Sequence, residues 1–565
     1  MDFDIVLKNG HVLDGTGNPW FKADLGIRDG KIAEISRFPL KLAERVIDAK
    51  GLIVCPGFVN LHSHSDFSIL SHNNAENCLA MGLVTELTGH CGSSTAPITE
   101  KNKKVVVERL KDRTFFFDEK VDWLTLDEWM KRLEKKGVGI NIAPLVGHGT
   151  IRSSVMGPEG EGGERIVPTK DEMDEMKAFV ERAMTEGAFG LSTGLVYAPG
   201  RNALMNEVIE LCKEVAKYGG LYASHIRDEG EYLIESTMEF IEICEKAGVR
   251  GVLSHHKAYF RNNFGKVCKT LKLVDEARAR EVDVILDQYP WRHGRGNKTL
   301  AELVGFKASV KSRQELIKKL KDPEEWEKLK ATAIERRDKE MKLYEERKKK
   351  LKEKGSWTQK PFDPESGFIL CSKIHSEFEG KFLRQVADAM GASDIWEASR
   401  ALLIDDEGYT CAHREPFSEE DVKTILKYPW TTVSTDQYAI DNSKVSPQAM
   451  ADALSTLHPR GWGTYPKILS KYVREEKILT LEEAIRKMTS LPARFLGLWN
   501  RGIVREGFWA DLVVFNPNTV ENMATYSHPY LSPKGIPYVL VNGKLSVDEG
   551  KNTGALAGKV LRNNA

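Results

Sequence analysis

Val59-Asn60-Leu61-His62-Ser63-His64-Ser65-Asp66 closes the first long apolar run of the chain, residues 52–62. In an extended strand the side chains at i and i+2 project to the same side, so His62 and His64 present both imidazoles to one point, as two ligands of a single metal must. The pattern recurs. Short apolar, β-branched runs at 84–90, 139–146, 188–193, Leu221–His225, 252–255, 282–289 and 432–436 each hand over to a polar cluster and then, in most cases, to a helical stretch. Eight such strands predict an α/β fold, a (β/α)8 TIM-like barrel whose strand ends converge on one pocket.

Those ends carry metal-competent groups: Thr88-Gly89-His90-Cys91-Gly92, Tyr222-Ala223-Ser224-His225, Leu253-Ser254-His255-His256-Lys257 and Val433-Ser434-Thr435-Asp436. Imidazole and thiolate are strong ligands for a borderline-soft ion such as Zn²⁺, and a carboxylate beside them is suited to take a proton from water. Packing alone does not explain why independent strands should all end this way.

Outside this core the periodicity changes. Asp29-Gly30 and Asn9-Gly10 read as two-residue hairpin turns between short strands, and the same pattern returns in Tyr538-Val-Leu-Val-Asn-Gly-Lys544. Residues 1–57 and 497–565 are therefore expected to build one small β-sandwich around a hydrolase body of residues 58–496. Residues 291–367 turn highly charged, with helical runs such as DKEMKLYEERKKKLKEK. This segment reads as a helical insertion, serving as a lid beside the active site or as a contact in a homo-oligomer.

The chain has 565 residues with Lys+Arg and Asp+Glu both at 82, so bulk charge gives it no means of capturing nucleic acid or an anionic membrane. The expected partner is a small molecule. No run of about 18 apolar residues exists and the start, MDFDIVLKNG, lacks a basic and apolar leader, so a cytoplasmic location is expected. The eight cysteines lie without framework spacing and are expected to be reduced there.

The motifs CPGFVNLHSHSD, GLVTELTGHCG, APLVGHGTIR, GLSTGLVYAPG, SHIRDEG, SHHK, DQYP, HPRGWGT and EGFWADLVVFNP together make the chain resemble the metal-dependent amidohydrolase superfamily. Within it, the resemblance is to the N-acyl-D-amino-acid deacylase (D-aminoacylase) family, and it runs over nearly the whole length. The cysteine after Thr-Gly-His is the specific mark, because most of the superfamily bridges two metals with a carbamylated lysine or a glutamate. The resemblance implies zinc-dependent hydrolysis of a linear amide in an N-acyl-D-amino acid or related N-acyl compound. It assigns Cys91, His225 and His255 to a tight zinc site, His62 and His64 to a second, weaker or alternative site, and Asp436 to acid/base catalysis. Of the pair His255-His256 the first is the ligand, since the family motif is Ser-His-x-Lys. Lys257, Tyr289 and Arg460 match groups that contact the substrate carboxylate or scissile carbonyl; Tyr197 and Arg152 are further substrate-binding candidates.

Two stretches depart from the family pattern: the basic loop Pro-Trp-Arg-His-Gly-Arg-Gly-Asn after Tyr289, and the long passage from Asp436 to Arg460. Both bear on the substrate pocket. The alternative activity is that of a cyclic amidohydrolase of dihydroorotase or hydantoinase type, which Cys91 opposes; a non-catalytic scaffold is opposed by the intact ligand set. Gly-Leu-Ser-Thr-Gly fits a bare nucleophile-elbow pattern, but the surrounding metal ligands point to other chemistry. The Gly-rich GPEGEGGER lacks the Lys-Ser/Thr of a phosphate loop.

Overall fold

The computed structural model describes residues 2–40, 43–113, 119–157, 167–294, 298–306, 312–353, 355–361, 363–413, 416–445 and 457–563. Most of GPEGEGGER, the end of the basic loop after Tyr289 and the middle of the Asp436–Arg460 passage lie outside them.

The body is built on parallel strands. Val146–Gly147, Gly190–Gly194, Leu221–His225, Arg250–Leu253, Val284–Gln288 and Thr431–Val433 lie side by side in one sheet, and Phe58–Asn60, Leu83–Thr88 and Asn141–Pro144 in another. Leu145 alone separates the ends of the two sheets on one side. On the other, Asp436 N donates to His62 O (2.9 Å) and His64 N to Gln437 O (2.9 Å). Almost every residue of these strands is buried, as parallel strands covered on both faces must be.

Strands from both chain ends form one continuous nine-stranded sheet, in which Leu512–Phe515 joins Ile53–Pro56 antiparallel. Period-two alternation divides its faces: Leu512, Val514 and Leu540 enter a core shared with Ile5, Leu25 and Ile27, while Val513, Phe515, Val539 and Val541 pack against the body. The Asp29-Gly30 turn forms as expected, with φ of 53° and 77° between Phe21–Arg28 and Lys31–Ser36. Asn9-Gly10 does not. Phe3–Val12 is a single strand, and left-handed Asn9 (φ 59°) sits in a bulge. The bulge lets the strand pair first with Ala43–Asp48 and then with Ile53–Pro56, held by Asn9 N donating to Asp24 Oδ1 (2.8 Å) and Asn9 Nδ2 to Asp48 Oδ1 (2.9 Å).

A buried polar network ties this sheet to the body. Arg501 pairs with Asp511, its Nη2 donates to Asn542 Oδ1 (2.7 Å), and Asn542 Nδ2 donates to Asn141 Oδ1 (2.9 Å) on a parallel strand. Asp511→Ala leaves Arg501 buried without its counter-charge, and a loss of about 3–5 kcal/mol is expected. Thermal unfolding of that variant, beside a double variant Arg501→Met/Asp511→Leu that recovers stability, checks it.

The insertion interrupts the chain between Val284–Gln288 and Thr431–Val433. Its longest element, Pro323–Lys352, starts on a capped turn: Asp322 Oδ1 accepts from Glu324 N (2.9 Å) and Glu325 N (3.0 Å), with Pro323 in the first turn. Trp326, Leu316, Leu320 and Phe306 bury a separate core with Ile369, Leu383, Leu402 and Ala412. That core lies on both sides of residue 367, because the charged helices need the apolar faces of Leu383–Met390 and Ile395–Asp405 to bury their own stripe. Among the described residues no helix is long and apolar enough to cross a membrane.

Candidate metal centre and active site

The chemistry gathers where the parallel strands end. His225 is the last residue of its strand; His62, Cys91, His255 and Asp436 follow theirs by two or three residues. Three of them hold the left-handed conformation that non-glycine residues rarely adopt: Cys91 at φ 55°, His255 at 36° and Asp436 at 47°. Each turns its side chain inward over the strand ends. Such strain costs on the order of 1–3 kcal/mol per residue and persists because the surrounding backbone over-determines it. Gly194 shows how: a Cβ there would stand 2.3 Å from Cys91 O, so only glycine lets the end of the strand Gly190–Gly194 pack against the cysteine loop. Ser192, the central residue of the Gly-Leu-Ser-Thr-Gly motif, donates to Gly89 O (2.5 Å) and accepts from Gly92 N (3.1 Å). It braces the cysteine loop rather than serving as a nucleophile.

Cys91 Sγ lies 3.5 Å from His62 Nε2, 3.7 Å from His225 Nδ1 and 3.6 Å from His255 Nε2, all buried. A tetrahedral Zn²⁺ with bonds of about 2.3 Å to sulfur and about 2.0–2.1 Å to nitrogen sets such ligands roughly 3.5 Å apart. The Cys91–His225–His255 set therefore fits zinc in both spacing and donor type. Two further groupings, His62–His64–Cys91 and His62–His255–Asp436, bring their ligand atoms within 4.8 Å of one another.

Carboxylates orient these rings from behind. His62 Nδ1 lies 3.2 Å from Asp287 Oδ2, while Glu229 reaches His225 Nε2 at 3.4 Å and His255 Nδ1 at 3.1 Å. Such partners fix which ring nitrogen is free to ligate. Burial resists ionisation of Cys91, yet His62, His225 and His255 hold the thiol well below its ordinary value. Burial likewise opposes charge on Glu229 and Asp436. Lys257 and the imidazoles override it for Glu229, Arg460 and His64 for Asp436, and both stay well below the usual carboxylate range.

The other sequence candidates fall into distinct places. Asp436 Oδ1 is 3.1 Å from His64 Nε2 and its Oδ2 is 2.8 Å from Arg460 Nη1. Lys257 Nζ donates to Glu229 Oε1 (2.6 Å) beside His255 Nδ1 (2.8 Å), so its charge is already met. Tyr289 lies under the Arg460 guanidinium, 4.6 Å from ring centre, and Tyr197 Oη is 3.2 Å from His225 Nδ1. His64, Lys257, Tyr197 and Tyr289 line a pocket of about 150 Å³ with Cys91 and Asp436. Arg152 is absent from that wall. It is fully buried, donating from Nε to Glu207 Oε1 (3.0 Å), which His148 also contacts at 2.8 Å. His256 turns away, 2.7 Å from Thr270 Oγ1, and burial pushes its pKa down to about 3. Glu229 and Asp287 escaped the sequence reading. Glu229 stands four residues after His225 in Ser-His-Ile-Arg-Asp-Glu, and Asp287 opens Asp-Gln-Tyr-Pro, but nothing local tells an orienting carboxylate from a solvated one.

The model of the Amidohydrolase family matches residues 45–334 and 405–547, leaving a gap within the insertion. D-aminoacylase of Alcaligenes xylosoxydans xylosoxydans is 32% identical over 570 aligned residues, covering 100% of this chain and 98% of its own. A solved D-aminoacylase, whose binuclear metal centre is described as activated by one metal and attenuated by a second, superposes with TM-score 0.73 at 30% identity over 99% of this chain and 100% of that one. N-acyl-D-glutamate deacylase from Bordetella bronchiseptica, solved with zinc and a phosphonate mimic of the tetrahedral intermediate, gives 0.72 at 29% identity over 100% of both chains. On the family match and the full-length kinship with D-aminoacylases, the chain belongs to the amidohydrolase family.

Proposed function

We propose that the chain hydrolyses the linear amide of N-acyl-D-amino acids or related N-acyl compounds, releasing a carboxylate and an amine, with zinc held by Cys91, His225 and His255. His62 and His64 offer a second, weaker position. The observation that carries this reading is the buried Cys91–His225–His255 triangle beside Asp436, whose carboxylate oxygens lie 2.8 Å from Arg460 Nη1 and 3.1 Å from His64 Nε2. When bound, the ion supplies Lewis acidity that polarises a carbonyl and eases deprotonation of water.

The side chains do the rest. Asp436, kept anionic by Arg460, takes the proton of the attacking water and returns it to the nitrogen as the C–N bond breaks. Tyr289, whose phenol burial keeps protonated, donates to the developing oxyanion. Arg460 and Lys257 give the pocket a positive field for the substrate carboxylate, though each is first committed to an acidic partner. Tyr197 closes the pocket against His225. Arg152 acts at one remove, its Nη1 contacting Pro199 O (3.5 Å) and supporting the turn on which the pocket wall rests.

The parallel strands are read as a closed (β/α)8 barrel within residues 58–496, flanked by the β unit of 1–57 and 497–565, with the insertion beginning at 291 as its lid. All eight cysteines are free thiols, which suits a reducing cytoplasm. A cyclic-amide hydrolase is disfavoured because that class normally bridges its metals with a lysine carbamate, whereas here Cys91 Sγ stands within 3.5–3.7 Å of three candidate imidazole ligands. The test is a panel of N-acetyl-D- and N-acetyl-L-amino acids beside hydantoin and dihydroorotate, assayed with zinc-loaded protein. Release of free D-amino acid is expected; ring opening without turnover of any N-acetyl compound overturns the reading.

A further inference from the structure

A second cavity, of about 690 Å³, opens from the catalytic pocket and shares Tyr197, His225, Glu229 and Tyr259 with it. Its outer wall comes from the insertion helix Pro323–Lys352, which contributes Arg336, Glu340 and Arg347, and its inner wall includes Arg201 from the turn Gly200–Asn202.

The charges in this cavity do not cancel. Glu229 is committed to Lys257, Glu302 caps the helix Leu300–Leu303, and Arg337 pairs with Asp338. Arg201 and Arg347 are both half-buried, and among the described residues neither has a carboxylate within 4 Å. Arg201 Nε is buried with no hydrogen-bond partner there. Burial and then Arg347 push the Arg201 guanidinium below its ordinary range, with only Glu340 opposing; burial alone does the same to Arg347. Two guanidinium groups facing one cavity, partly desolvated and mutually repulsive, are costly unless an anion joins them. Arginine is the side chain suited to that task, since its planar fork matches a carboxylate in two-point contact.

We propose that Arg201 and Arg347 form an anion subsite that receives a second carboxylate on the substrate, selecting N-acyl amino acids with an acidic group on the arm extending toward the insertion. This deepens the hydrolase reading and rests on it for the reaction, though not for the binding.

Three substrates test it: N-acetyl-D-leucine as neutral reference, N-acetyl-D-glutamate with the extra charge on the amino-acid half, and N-succinyl-D-leucine with it on the acyl half. For the half that enters the cavity, the ratio of its kcat/KM to that of the neutral reference falls about tenfold or more in Arg201→Gln and in Arg347→Gln, with Arg347→Lys, which keeps the charge but not the two-point fork, falling between Arg347→Gln and the parent. Calorimetric titration with glutarate gives the second readout, with affinity at least fivefold weaker in either glutamine variant. Ratios within twofold of the parent for both acidic substrates, or glutarate binding indifferent to both substitutions, overturn the subsite. Arginine-dependent glutarate binding without turnover of any of the three substrates supports the subsite and overturns the hydrolase reading alone.

Discussion

Cys91→Ala is expected to abolish stoichiometric zinc binding and to lower kcat/KM by on the order of 10³-fold or more, the several kcal/mol that metal polarisation contributes to an acyl-transfer transition state. Three imidazole nitrogens approach Cys91 Sγ within 3.7 Å, and those rings keep the thiol ionised despite burial. Removing the sulfur deletes the shared corner of two ligand groupings, so His62 and His64 cannot compensate. Cys91→Ser keeps the size but offers a hard, poorly ionised oxygen, and partial zinc retention is expected. Cys268→Ala, at an exposed thiol away from the site, is the control. Elemental analysis beside steady-state kinetics decides; a Cys91→Ala protein with one zinc per chain and near-parental turnover removes the thiolate from the centre.

Asp436→Asn is expected to keep its zinc and lose about 10²–10⁴-fold in kcat, the usual worth of a positioned acid/base. Asparagine preserves the shape next to His64 and the hydrogen-bonded backbone at His62, but cannot accept a proton. It also leaves Arg460, 1% exposed, facing a neutral group, so stability falls as well. The double variant Asp436→Asn/Arg460→Gln separates the two effects. If it recovers thermal stability yet turns over far more slowly than the single variant Arg460→Gln, which already lacks the contact to the substrate carboxylate, the lost activity belongs to proton transfer. Recovery of both makes Asp436 a structural counter-ion only.

Much of the candidate site was legible because its metal-competent residues sit at or just past strand ends, where local pattern and local geometry coincide. Strand parity predicted one side for His62 and His64, which in the structure lie just past the end of Phe58–Asn60 with their rings 5.6 Å apart, and Cys91, His225, His255 and Asp436 each close an apolar run. The carboxylates behind them were not legible. Asp287 touches His62 across 225 positions of sequence, and Glu229 serves two histidines at once, a relation no single segment encodes. Arg152 is the opposite case. Its motif placed it near the pocket, but Glu207 from the helix Met205–Ala216 claims its guanidinium. Asn9-Gly10 carried a sound turn signal, yet Asp24 and Asp48 hold it within a strand, because a two-residue signal states only that left-handed φ is available.

Apolar periodicity and local turn signals were enough for the parallel α/β body and the β-structure at both ends, and the family resemblance added which strand-end imidazole, thiolate and carboxylate groups are candidates for zinc. Periodicity and turn signals are properties of neighbours in sequence, and the first two features need no more. Tertiary structure decided the rest: which nitrogen of each histidine faces Cys91, which cations are already neutralised, and that Arg201 and Arg347 meet across a cavity. Electrostatic partnership falls off with distance in space, and folding alone brings residue 201 opposite residue 347.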